Sequence, residues 1–160
     1  MTKPLLHLLN GNSNEALTRR LAGLADVRIA GKVILEAETV AASPRQIVTR
    51  RDVARSAVHI LDHVEARFAD EKRARPDAVV LACFGEPGLG ALREAVDVPV
   101  FGLLESSARL AASLGSFSIL TPGAAWPAQL RELLAVYGLT GQCHGISVYS
   151  ESSLSDDPLV

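Results

Sequence analysis

Only two cysteines occur in the 160 residues, Cys83 and Cys143, without CxxC spacing or a His/Cys cluster. Neither a disulfide framework nor a zinc site is suggested, and reduced thiols are expected. Long hydrophobic runs are missing too. Residues 1–12 hold one early Lys and a short apolar stretch, Leu5–Leu9, broken by His7. That is too short for a signal-peptide core or a membrane span, so a cytoplasmic location is expected. Charge of one sign is also lacking: the net charge of −2 leaves no electrostatic footprint for nucleic acid or anionic membrane, and there is no basic aromatic patch. What remains is an ordinary globular composition, 48% apolar and 21% charged, long enough for one domain or one domain plus part of another.

Short β-branched or Leu-rich runs alternate with helical patterns, which predicts an α/β fold with a mainly parallel sheet and helices on both faces. The strand candidates are Leu5–Leu9, Lys32–Val40, Ala78–Cys83, Val98–Leu103, Phe117–Leu120 and Ile146–Tyr149. Helices are expected over Asn14–Leu24, Asp52–Ala74, Leu89–Val96, Ser106–Leu114 and Ala128–Tyr137. In the longest, Val53, Ala57, Ile60, Val64 and Phe68 form an apolar stripe, and Arg55, Asp62, Glu65, Arg67 and Asp70 read as its solvated face. A division near Asp97 is expected, because Val98–Leu103 opens a second strand–helix–strand–helix run. Residues 1–97 would form a first half carrying Cys83, 98–149 a partial second half, and 150–160, rich in Ser and Asp without apolar period, a disordered tail.

Three loops at carboxyl ends of strands, where open α/β sheets place ligands, carry the unusual residues. In Asn10-Gly11-Asn12-Ser13, Asn12 with Glu15 three residues on fits an N-cap with its reciprocal partner, which could be a plain capped turn or an anion contact. In Ala82-Cys83-Phe84-Gly85-Glu86-Pro87-Gly88-Leu89, a thiol ends a buried strand beside backbone N–H groups and glycines that let a ligand approach. A lone Cys there is also a common small hydrophobe. If the N–H groups outweigh burial, Cys83 should be alkylated faster than Cys143. Leu120-Thr121-Pro122-Gly123 suits an oxyanion or carboxylate contact, or is an ordinary turn. His59 and His63 have metal-like spacing on one helix but lack a third ligand in the sequence, and Cys143-His144 is a weak pair, so no metal is expected at any of them.

These residues resemble a known family. Asn10-Gly11-Asn12-Ser13 resembles the NPNxS-type loop of hydantoin and allantoin racemases, and Ala82–Leu89 is very similar to their ACFGDPGL motif, with Glu86 where Asp is usual and Gly11 where Pro is usual. Asp77-Ala78-Val79-Val80, Val98–Glu105 and Leu114-Gly115 through Thr121 follow in the family's order. The resemblance, to the aspartate/glutamate/hydantoin racemase superfamily, implies two pseudo-symmetric α/β halves with the site between them. Each half donates one cysteine, one thiolate removing a proton and the other thiol delivering one to the opposite face, without metal or organic cofactor. Cys83 matches the first. The family's second cysteine lies in a Gly-Cys-Ala-Gly-like loop beyond the position of Val160, and Cys143 does not match it. The expectation is therefore an incomplete second half.

The leading expectation is a cofactor-independent racemase or epimerase of a carbonyl-flanked stereocentre, of hydantoin, allantoin or amino-acid type. Cys83 would act as acid or base, with Asn10, Asn12, Ser13, Phe84, Gly85 and Thr121 contacting substrate. The alternatives are a one-cysteine decarboxylase or isomerase of the same superfamily, and a truncated, non-catalytic binder of small carboxylates. Expected partners are a small-molecule substrate, with a homo-oligomer left open, and neither nucleic acid nor membrane.

Overall fold

The structure, a computed structural model, describes residues 2–29 and 31–149, so the tail expected at 150–160 lies outside the described residues. The chain forms two units: residues up to Ile47 with Arg51–Leu104, and Val48–Arg50 with the residues from Glu105 on.

The first unit runs β1 (Leu5–Asn10), α1 (Glu15–Ile29), β2 (Ile34–Thr39), α2 (Arg50–Ala69), β3 (Ala78–Leu81), α3 (Leu89–Ala95) and β4 (Val100–Gly102). Its four strands are all parallel, in the order β2-β1-β3-β4. Side chains alternate across a strand, and two sets of contacts show which helix covers which face. Asn10 of β1 and Thr39 of β2 both reach Thr18 on α1, whereas Glu36 and Glu38, one step out of phase, reach Arg67 and His63 on α2. Helices therefore cover both faces, as expected. The expected stripe of α2 closes the core: Ile60 and Val64 are fully buried against Leu9, Val79 and Leu81. Each such side chain contributes about 1.5–3 kcal/mol.

Several boundaries differ from expectation for local reasons. Helix α2 stops at Ala69 and not Ala74, because Asp70 organises a turn, its carboxylate accepting from Lys72 N at 3.0 Å and its carbonyl from Arg73 N at 3.2 Å. Arg67 leaves the solvated face to which its spacing assigned it. It is buried, and its guanidinium donates to Glu36 and to the Ala74 carbonyl, both at 2.7 Å. The division expected near Asp97 falls between Leu104 and Glu105, since β4 pairs with β3 and completes the first sheet.

The second unit holds most of α4 (Leu103–Leu114), then β5 (Phe117–Pro122), α5 (Trp126–Val136) and β6 (Cys143–Tyr149). Strands β5 and β6 form a parallel pair joined through α5, with a bulge at Phe117/Ser118. Ile119, Leu130, Leu134 and Leu139 are buried. Arg50 grips Glu132 with two guanidinium nitrogens at 2.7 and 2.6 Å. Among the described residues no helix is long and apolar enough to cross a membrane.

Candidate active site

In the sheet order β2-β1-β3-β4 the connections run outward in opposite directions from β1 and β3, and the crevice beyond their carboxyl ends is where such sheets bind ligands. The loop after β1 is Gly11–Asn14 and the loop after β3 is Ala82–Gly88, so both motifs fall at that point. They touch. A Cβ placed on Gly11 would lie 3.5 Å from the Cys83 Cβ and 2.9 Å from Ile60 Cδ1. The Asn12 backbone therefore lies within about 9 Å of Cys83, one Cα step further on. The same contact explains the glycine, since any side chain there would press on Ile60.

The first loop is built by asparagines. Asn10 is fully buried, and its amide nitrogen donates to Asn12 Oδ1 at 2.9 Å, Asn14 O at 3.1 Å and Thr18 Oγ1 at 3.0 Å. With its donors spent inside the chain, Asn10 holds the loop in shape. Asn12 Oδ1 also accepts from Asn14 N at 2.9 Å, closing an Asx turn. The helix cap expected of Asn12 is made by Asn14, whose side-chain oxygen accepts from Leu17 N at 3.3 Å. Ser13 N donates to Pro44 O at 3.1 Å. The half-buried Asn12 amide nitrogen and Ser13 hydroxyl, by contrast, have no partner among the described residues.

The second loop begins with a turn in which Glu86 N donates to Cys83 O at 3.0 Å. Cys83 is half-buried against the core. Burial pushes its thiol up to about 11, more than the backbone N–H groups of Gly85 and Glu86 lower it, and the Glu86 carboxylate adds to the rise. Burial therefore wins over the N–H groups, and near neutral pH Cys83 is a protonated thiol. Glu86 is itself buried, with a left-handed φ of 47°. A Cβ on Gly102 would fall 2.1 Å from Glu86 Oε1 and 2.7 Å from Leu89 Cδ2, so the glycine of β4 makes room for this carboxylate. In the sequence Glu86 stands out only as a departure from the motif, and an acidic residue inside an otherwise apolar, Gly-Pro-rich turn is the signal it offers.

The first unit alone thus gathers Asn10, Asn12, Ser13, Cys83, Phe84 and Gly85. Thr121 belongs to the second unit, where it lies within β5 opposite Val148, buried, its hydroxyl 3.4 Å from Pro122 O. Cys143 is also in the second unit, on β6, with its Sγ 3.5 Å from Gly145 O. His59 and His63 are on α2, and the spacing argument against a three-ligand set does not hold for His63. His7 from β1 and Glu38 from β2 bring their ligand atoms within 4.8 Å of it and of one another. Those partners are remote in sequence, which is why spacing could not find them.

The first unit is a parallel α/β sheet with a cysteine turn and an asparagine turn together at its switch point, the place where open α/β sheets bind ligands. The family is shown by comparison: the Asp/Glu/Hydantoin racemase family model matches residues 6–155, and the chain belongs to that family. The hydantoin racemase of Paenarthrobacter aurescens is 32% identical over 142 residues, which cover 88% of this chain and 59% of that protein. The hydantoin racemase of Pseudomonas sp. (strain NS671) is 30% identical over 135 residues, 84% of this chain and 53% of that protein. Among solved structures, the allantoin racemase from Klebsiella pneumoniae superposes with a TM-score of 0.86 at 27% identity, over 98% of this chain and 63% of that one. The chain spans a little over half the length of the curated relatives it matches.

Proposed function

We propose that the protein is an isomerase: a cofactor-independent racemase or epimerase in which Cys83 transfers a proton at a stereocentre flanked by a carbonyl, in a ring such as a hydantoin or allantoin or in an amino acid. The single observation that carries this reading is the contact of the two loops, which sets the Cys83 side chain against Gly11, in the loop that also carries the uncommitted donors of Asn12 and Ser13. Those donors suit a carbonyl or carboxylate oxygen. Hydrogen bonds there would stabilise the enolate-like charge that develops when the carbon loses its proton. Because Cys83 rests protonated, it begins as the acid, delivering its proton to one face of the carbon after a base on the other face has removed the original one. In the reverse direction its thiolate is the base. Membership of the family and the racemase names of the relatives support the reaction class. A cytoplasmic setting fits, since the chemistry needs a reduced thiol.

The protonated resting state suits equally a second reading, a one-cysteine decarboxylase in which Cys83 only supplies a proton to the carbanion left by carbon dioxide. Proton NMR in heavy water on hydantoins, allantoin, aspartate and glutamate separates the readings. The first requires exchange of the α-proton of at least one of them with loss of optical activity. Release of carbon dioxide from a substituted malonate-type acid, without such exchange, would replace it by the second. Calorimetric binding with neither reaction would leave a small-carboxylate binder.

A further inference from the structure

We infer that His7, Glu38 and His63 form a binding site for a first-row divalent cation of the zinc class, clamping helix α2 to the β1–β2 edge of the first sheet. This goes beyond the proton-transfer chemistry proposed for Cys83, which uses other residues. The three side chains come from three elements, β1, β2 and α2, and converge on one point. His7 Nε2 lies 3.2 Å and His63 Nε2 2.7 Å from the same oxygen, Glu38 Oε2. All three ligand atoms lie within 4.8 Å of one another. A zinc-class ion sits roughly 2.0–2.2 Å from imidazole nitrogen and carboxylate oxygen, which places its ligand atoms roughly 3–3.5 Å apart. Small side-chain rotations therefore suffice.

The surroundings bear on such an ion in three ways. The other Glu38 oxygen is held by Arg73, which orients the carboxylate while leaving Oε2 turned to the imidazoles. His7 is fully buried and its Nε2 hydrogen faces Glu38 Oε2 in the metal-free protein, so an ion taking that hydrogen's place would leave the ring proton on Nδ1. His63 also lines a surface cavity of about 380 Å³, together with His59, Asp62 and residues 39–42 at and just beyond the end of β2, so one of the three ligands reaches solvent. Two imidazoles and one carboxylate select zinc, cobalt(II) or nickel(II) over calcium or magnesium, whose preferred ligands are all oxygen.

The test is a cobalt(II) titration of the chelator-stripped protein, followed by visible and near-ultraviolet absorption, with calorimetry against zinc and thermal melts alongside. One ion should bind per chain at micromolar affinity, with d–d bands, no thiolate-to-metal charge-transfer band and a rise in Tm. His63→Ala, at a half-buried helix position, and Glu38→Gln should each weaken binding at least tenfold and remove the Tm rise while keeping a native circular dichroism spectrum. His59→Ala and Cys143→Ser should bind as the parent does. Absence of saturable binding up to millimolar cobalt, a thiolate band, or loss of binding in His59→Ala but not in Glu38→Gln would each overturn the site.

Discussion

The two units differ in how far each buries its own sheet. In the first, four strands lie between helices, and Leu9, Ile60, Val64, Val79 and Leu81 are all fully buried. In the second, which is shorter, two strands carry a smaller core and Leu110, Leu114, Leu120, Val136 and Val148 remain exposed, about as many large apolar side chains as the longer first unit exposes at Leu24, Val27, Ile34, Val58 and Phe101. The difference teaches where precision can reside. A proton-transfer group must be held closely in place, and the first unit, with its closed core under both motif loops, can hold one by itself. A pair of strands with much open apolar surface is marginal on its own.

Truncating the core tests that comparison most severely. Leu81→Ala should cost about 2–5 kcal/mol in urea unfolding, because it opens a cavity directly under Cys83. Leu120→Ala, at a position 65% exposed in the second unit, should change stability by no more than about 0.5 kcal/mol. Similar costs for the two would break the contrast. Gly102→Ala should come next, at about 1–3 kcal/mol, since its Cβ must displace a buried carboxylate and Leu89. It should also alter the alkylation rate of Cys83 by moving Glu86, and a neutral result would mean that Glu86 is loosely held. Asn14→Ala should cost about 1 kcal/mol through loss of the α1 cap. Asn12→Ala removes an Asx turn but no cap, and a larger cap loss there would restore the assignment made from spacing.

The smallest effect compares the two thiols. With its pKa raised to about 11, Cys83 should be alkylated by iodoacetamide more slowly than Cys143 near neutral pH, and its rate should climb as pH approaches 11. The sign for stability follows from the same shift. The folded state holds the thiol proton more tightly than the unfolded chain, whose ordinary value is 9.0. The contribution is thus whole below about pH 9 and lost as pH rises through about 11. Faster modification of Cys83 at neutral pH would show that the Gly85 and Glu86 N–H groups dominate after all.

Much of this was legible in the sequence because the signals were local. The alternation of apolar runs and helical stripes located the six strands and five helices of the described residues, and the motif at Ala82–Leu89 marked the cysteine turn. What stayed hidden depends on register and pairing across the fold. Nothing near His7 in the sequence says that Glu38 and His63 will face it, and Arg67 has the spacing of a surface residue until Glu36 is placed opposite. The capping role moved from Asn12 to Asn14 because both are asparagines within one turn, and only the hydrogen bonds distinguish them. The position of β4 in the first sheet likewise follows from its pairing with β3, which the residues at Val98–Leu103 do not record.

The central claim is that Cys83 of the first unit moves a substrate proton and Cys143 of the second does not. Incorporation of solvent deuterium at the substrate stereocentre, measured by NMR for the parent protein, Cys83→Ser and Cys143→Ser with the same hydantoin, tests it most directly. The account predicts that racemisation, and exchange of the enantiomer whose α-proton faces Cys83, are abolished in Cys83→Ser, whose folded spectrum and melting remain those of the parent, and are nearly unchanged in Cys143→Ser. Undiminished racemisation in Cys83→Ser, with exchange of both enantiomers, would contradict the account and leave the family likeness as one of fold alone.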